Sequence, residues 1–171
     1  MKKTGIIISL FLFNQCFSQV AIGKNSVNNT SISLEFGNGN RGMILPWVTS
    51  TGTVAGAVDG TVIYDASDKK IKYRKSGVWM DLTIDASGVV NTALQNSKTE
   101  SATAKVTIGG GSVNTTPGIL VLADDHKAMV LPKMNSPHLN IINPAAGTIA
   151  YDTVTHQLAV FNGTVWSFWK P

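Results

Sequence analysis

Apolar residues come in short runs along this chain, each closed by Gly, Pro, Asp or Asn, and the runs predict strands. Residues 31–36 and 118–122 read as strands. So do 43–45 and 129–131, each stopped by a proline, Pro46 or Pro132, that has no N–H to give to a ladder. Loops follow at 47–59 and 133–146. Two hairpins come next, 61–64 with 70–74 and 148–151 with 157–161, and then a last strand carrying Trp79 or Trp166. The hairpin turns, Asp65-Ala-Ser-Asp68 and Asp152-Thr-Val-Thr155, open on an aspartate, whose carboxylate accepts from backbone N–H groups in tight turns.

These elements form a tandem repeat. Val20-Ala-Ile-Gly-Lys-Asn-Ser-Val-Asn-Asn-Thr30 aligns with Val106-Thr-Ile-Gly-Gly-Gly-Ser-Val-Asn-Thr-Thr116 at an offset of 86, and Met43-Ile-Leu-Pro46 aligns with Met129-Val-Leu-Pro132 at the same offset. After one insertion, Gly60-Thr-Val-Ile-Tyr-Asp65 meets Gly147-Thr-Ile-Ala-Tyr-Asp152, and Trp79 meets Trp166, both at an offset of 87. Matches in one order with one insertion imply duplication. Unit one covers 19–83 and unit two 106–171. The intervening 84–105, rich in Ser, Thr, Ala and Asn, reads as a linker; Val90 and Leu94, four apart, also allow a short helix over 89–96. The expected fold is mostly β: two tandem repeats of short antiparallel strands and hairpins joined by a Ser/Thr/Ala-rich linker.

The two copies differ in their hairpins. In Lys70-Ile-Lys-Tyr-Arg74, Ile71 and Tyr73 alternate with three cations, the pattern of one buried and one wet face. In Gln157-Leu-Ala-Val-Phe161 both faces are apolar, and Phe168-Trp169 extends the apolar surface. A unit of ~65 residues has little core of its own. Its second face is expected to meet another chain or unit one. Leu158, Val160, Phe161, Trp166, Phe168 and Trp169 are therefore the expected partner-binding residues.

Composition fits an exported β protein. Hydrophobic residues make up 43% and charged ones 14%, below the ~25% charge of ordinary soluble domains. Residues 1–18 read as a signal peptide: Lys2-Lys3, an apolar stretch over 5–13, then Phe17-Ser18, with cleavage between Ser18 and Gln19. The apolar stretch falls short of the ~20 residues that span a bilayer. Cys16, the single cysteine, lies inside the signal segment without the small neighbour that lipidation favours. The mature chain then holds no disulfide or thiol ligand. Without Lys2 and Lys3 the net charge of +4 falls to 12 basic against 10 acidic residues, a poor match to nucleic acid.

No catalytic constellation stands out, so no enzyme and no cofactor are expected. The histidines, 126, 138 and 156, all fall in unit two, and Asp124-Asp125-His126 lacks a second His at ligand spacing. Asp152-Thr153-Val154 is half an aspartic-protease signature without its Gly. Gly109-Gly-Gly-Ser112 has no following Lys for phosphate, and no Gly-x-Ser-x-Gly occurs. The aromatics Trp47, Tyr64, Tyr73, Trp79, Tyr151, Phe161, Trp166, Phe168 and Trp169 suit either a sugar-stacking face or a β core. The repeated pairs Tyr64/Tyr151 and Trp79/Trp166 favour core. Trp47 and Trp169, which are unrepeated, are the candidate glycan contacts. Lys70, Lys72 and Arg74 form either a solvated face or one for anionic glycans or lipid headgroups.

The signal ending Phe-Ser-Gln19 followed by Val-Ala-Ile-Gly23 resembles exported Bacteroidota proteins. Met129-Val-Leu-Pro132 and Gly147-Thr-Ile-Ala-Tyr-Asp152 with Val160-Phe-Asn-Gly-Thr-Val-Trp166 resemble repeats of their surface and tail-fibre-like proteins, a group associated with type IX secretion and gliding-motility adhesins. The resemblance implies a β-rich, non-enzymatic module at the cell surface or outer membrane, with a periplasmic or secreted location as the alternative. It also makes Thr153, in an Asp-Thr-aliphatic triplet, a candidate O-glycosylation site. With little chain beyond Trp169, a separate sorting domain is not expected, so display would need a partner or unit two itself. The function expected is an accessory or adaptor that binds a protein partner, an adhesin or secretion component. The alternatives are a carbohydrate-binding module, or a homotrimeric tail-fibre-like segment.

Overall fold

A computed structural model describes residues 19–101, 103–111 and 114–170. The expected signal segment with Cys16 and Ser18, Ser112 of the glycine run, and Pro171 lie outside the described residues. Unit one holds β1 (Val20–Ile22), β2 (Ile32–Phe36), β3 (Met43–Ile44), β4 (Trp47–Val48), β5 (Val62–Asp65), β6 (Lys70–Lys75) and β7 (Val78–Asp81). The linker carries one helical turn, α1 (Ala93–Asn96). Unit two repeats the strand order as β8 (Val106–Ile108), β9 (Leu120–Leu122), β10 (Ala128–Val130), β11 (Lys133–Met134), then α2 (Pro137–Asn140), β12 (Thr148–Asp152), β13 (Gln157–Phe161) and β14 (Trp166–Trp169).

The meanders β5–β6–β7 and β12–β13–β14 are antiparallel, as the hairpin patterns require. The remaining pairings within each unit are parallel. β1 runs alongside β2 with Val20 opposite Leu34, and β8 alongside β9 with Val106 opposite Leu120, the same register 86 residues later. β4 lies parallel to β5, and β11 to β12. The sequence pattern placed β4 and β11 in loops and did not reveal β1 or β8. Strands of two or three residues are too short to show alternation. The prolines explain the join: each ends one strand, yet its carbonyl opens the next. Tyr64 N–H donates to Pro46 O at 2.9 Å, and Tyr151 N–H donates to Pro132 O at 2.8 Å.

One strand of each unit is lent to the other. β3 pairs antiparallel with β12, setting Met43 opposite Ile149 and Ile44 opposite Thr148. Its counterpart β10 pairs parallel with β2, setting Met129 opposite Leu34. The core is shared too. Leu45, Tyr64 and Ile71 from unit one pack with Ala146, Ile149 and Val160 from unit two. The fully buried Tyr64 hydroxyl donates to the Asn162 carbonyl at 2.9 Å. The Trp47 indole N–H donates to the Ala146 carbonyl at 2.7 Å. Gly147, at φ +79°, lies where a Cβ would stand 3.3 Å from the Tyr64 Cβ and 3.4 Å from the Trp47 indole nitrogen, so a side chain would prise the seam. The inner face of unit two thus meets unit one. The linker is docked at its start: Asn162 donates to both the carbonyl and the carboxylate of Asp85, and the Thr164 hydroxyl donates to the Ser87 carbonyl.

The turn aspartates do more than shape their turns. Asp65 accepts from Ser67 N–H and, across the unit, from Thr51 N–H. Asp152 accepts from Val154 N–H at 2.8 Å, Ser136 N–H at 3.1 Å and the Thr155 hydroxyl at 3.0 Å. Each carboxylate therefore ties the hairpin to the loop that follows β4 or β11. The cation-bearing face of β6 is neutralised locally. Lys72 pairs with Asp68 and Asp81, Lys70 with Asp81, and Arg74 lies over the Trp79 ring.

Burial alone would raise the Asp152 pKa. The donors Val154, Ser136 and Thr155 prevail and hold it below its ordinary value of 3.8. The unfolded chain keeps the ordinary value, so the stabilisation is complete above it and fades as pH falls through the lower folded value. Asp152→Asn should destabilise the chain by about 1–2 kcal/mol at pH 7 and by clearly less at pH 3. Urea unfolding at the two pH values measures the difference; equal losses would show that the carboxylate charge is immaterial.

Candidate functional site

Among the described residues, no group of three or more His, Cys, Asp or Glu side chains is placed to hold a metal. The histidines serve local roles: His126 lies 3.6 Å from Asp125, His138 meets the Phe168 ring edge-on, and His156 takes a left-handed turn position at φ +57°. Asp124 accepts from Gly110 N–H, Lys127 and the Ser33 hydroxyl, so it ties the turn after β8 to β2. A polar hollow of about 370 Å³ opens beside β2, lined in part by Lys24, Glu35, Val130 and Lys133. Burial would raise the Glu35 pKa, but hydrogen bonds from Lys24 and Asn28 outweigh it and lower it, keeping the carboxylate charged.

The expected partner-binding residues divide into three places. Val160 is fully buried and Leu158 half-buried on the inner face against unit one. Phe161 and Trp166 pack on each other at 5.1 Å between ring centroids, with Phe161 itself buried. Phe168 and Trp169 stay exposed, at 39% and 42%. They line a hollow of about 210 Å³ with Leu82, Ile84 and Ser167, and the Trp169 indole N–H donates to the Leu82 carbonyl. Of the glycan candidates, Trp47 is engaged in the seam between units, which leaves Trp169 on the surface. Thr153 is half-buried, and its hydroxyl donates to the Asn135 side-chain oxygen. Gln19 folds onto the chain, donating to the Asn29 and Ile32 carbonyls.

Sequence reasoning missed a second surface, built from strand edges. Leu34, in the centre of β2, is 2% exposed because β1 and β10 flank it. Its counterpart Leu120 in β9 is 43% exposed, and among the described strands β9 has only β8 beside it. Ile44, Ile119 and Met129 are exposed as well. These apolar groups lie at the borders of short strands, where unpaired N–H and C=O groups are templates for another strand. Comparing the two units position by position is the signal that finds them, and it needs the pairing to be known first.

A family model described as a phage tail like trimerisation region matches residues 107–170, nearly the whole of unit two. No curated protein and no solved structure matches the chain.

The burial pattern separates core from contact. Val160→Ala should cost about 2 kcal/mol or more through the cavity it leaves, whereas Phe168→Ala should cost under about 0.5 kcal/mol. Thermal unfolding of the two variants checks the order; a larger loss at Phe168 would reverse this assignment.

Proposed function

We propose that the chain is a structural segment that associates with two further copies of itself into a homotrimeric, fibre-like module. The module is exported to the cell envelope and carries no catalytic activity. The match of residues 107–170 to a trimerisation region carries the reading. The exposed apolar residues Ile44, Ile119, Leu120 and Met129 beside short strand edges support it, since such surfaces mark association sites. The signal-like residues 1–18 support export.

A second reading, an adaptor that docks a surface adhesin or secretion component, draws on Phe168 and Trp169. These two aromatics remain exposed around a shallow hollow at the end of unit two. The readings are compatible, since a trimer would present three copies of that patch.

Light scattering on the purified full chain tests the primary reading. A mass three times the 18.2 kDa of one chain is expected. A monomeric mass across the accessible concentration range would overturn it.

A further inference from the structure

The strand that each unit lends is used on opposite edges in the two units. β3 gives one edge to β12, and β10 gives one edge to β2. A complete pattern would use both edges: the lent strand would sit between the β2-type strand of the preceding unit and the β5-type strand of the following one. Inside one chain, β10 finds its preceding unit and β3 finds its following unit. Each lacks the other neighbour among the described residues. Backbone direction agrees. Leu45 N–H points to the Gly147 carbonyl, and Ala128 N–H points to the Ser31 carbonyl. Strand alternation then turns Ile44 away from β12 and Met129 away from β2.

Two unused acceptor edges match these two unused strands. β9 stands where β2 does but has no partner on its outer side among the described residues. β5 stands where β12 does. The Thr61 carbonyl just before it accepts from Arg74 of β6, and Tyr64 N–H reaches Pro46 on the opposite side. Val62 faces that same opposite side, and no strand pairs with it there among the described residues. Its counterpart Ile149 pairs with Met43. The packing agrees. A Cβ at Gly147 would touch Tyr64, Leu45 and Trp47, whereas a Cβ at Gly60 meets nothing within 4 Å among the described residues. Where Trp47 of one unit meets the Ala146 carbonyl of the other, the corresponding positions of the unfilled joint hold Lys133 and Asp59, whose carboxylate accepts from Ser76 and Gly77 N–H in its own unit.

We infer that the joint between unit one and unit two inside the chain is repeated between chains, so that unit two of one copy receives unit one of the next. This rests on the trimeric reading above and names its interface. The offsets of 86 and 87 set the register. Met43 and Ile44 of one copy lie parallel to Leu120 and Val121 of its neighbour. Met129 and Val130 of that neighbour lie antiparallel to Val62 and Thr61 of the first. Such a head-to-tail contact uses two different surfaces and closes into a ring when the rotation fits. The trimeric reading sets the number at three copies.

Cysteine pairs test the register, since directly opposed residues lie within disulfide reach. In a Cys16→Ser background, Thr61→Cys with Val130→Cys should oxidise into a covalent trimer on a non-reducing gel. The equivalent pair inside one chain, Ile44→Cys with Thr148→Cys, should close within the monomer. A trimeric mass without interchain bonds, while the control closes, would overturn this joint and leave the trimer standing. A Thr61–Val130 bond closing within one chain would also overturn it. A monomeric mass at every concentration would overturn both. Independently, Leu120→Asp should reduce the trimer to monomer with the far-ultraviolet circular dichroism unchanged. Val154→Asp, at a more exposed turn position, should leave the mass unchanged. Retention of the trimer by Leu120→Asp would count against the joint.

Discussion

A strand of two or three residues cannot hold itself in water, and this fold is built on such strands. β3 has two residues and β10 three, and each is ordered only because the other unit supplies a ladder for it. The exchange places Leu45 beside Gly147 and draws Tyr64, Ile71, Ile149 and Val160 into one core. The Tyr64 hydroxyl must then find an acceptor in a dry seam, and it finds the Asn162 carbonyl. Burial, followed by the nearby Asp68 and Asp65 carboxylates, raises the Tyr64 pKa, so the phenol stays protonated as the donor this contact needs. Remove the exchange and both sheets lose an edge strand, and the core splits into two halves too small to stand alone.

The same dependence leaves strand edges without a partner among the described residues. A repeat whose units complete each other leaves its first and last units incomplete, and solenoid proteins usually cover such ends with polar caps. Here the outer strand borders carry apolar groups that no described strand covers. Leu120 and Met129 are exposed where their equivalents in the finished joint, Leu34 and Met43, are covered or half-covered. A chain of low charge with uncapped strand edges is prone to indefinite association. Closure among a fixed number of copies would remove the edges, which would give the proposed trimer a physical purpose beside the match of residues 107–170 to a trimerisation region.

Much of the architecture was legible in the residues. The Tyr-Asp turns, the Trp-bearing last strands and the Met-x-Leu-Pro segments all fall on strands or turns that recur between the units. The parallel pairings were not legible, because Val20–Ile22 and Trp47–Val48 are too short to carry a period. The apolar character of Gln157–Phe161 did signal a covered surface, and unit one covers the inner face through Val160. What the pattern could not separate was that face from the remaining aromatics. Trp166 stacks on Phe161, while Phe168 and Trp169 face outward, and alternation along one strand looks alike in both cases. Trp47 lacked a repeat partner for a structural reason: it fills the seam between the units, and the equivalent position of unit two holds Lys133.

Amide hydrogen exchange on the full chain, at a concentration where it is trimeric, tests most directly whether the open edges are closed by neighbouring copies. The amides of Val62 and Leu120 should then be protected to the same order as those of Ile149 and Leu34, their counterparts in the joint inside the chain. Exchange of Val62 and Leu120 at the rate of exposed amides, with Ile149 and Leu34 protected and the trimer intact, would contradict the account.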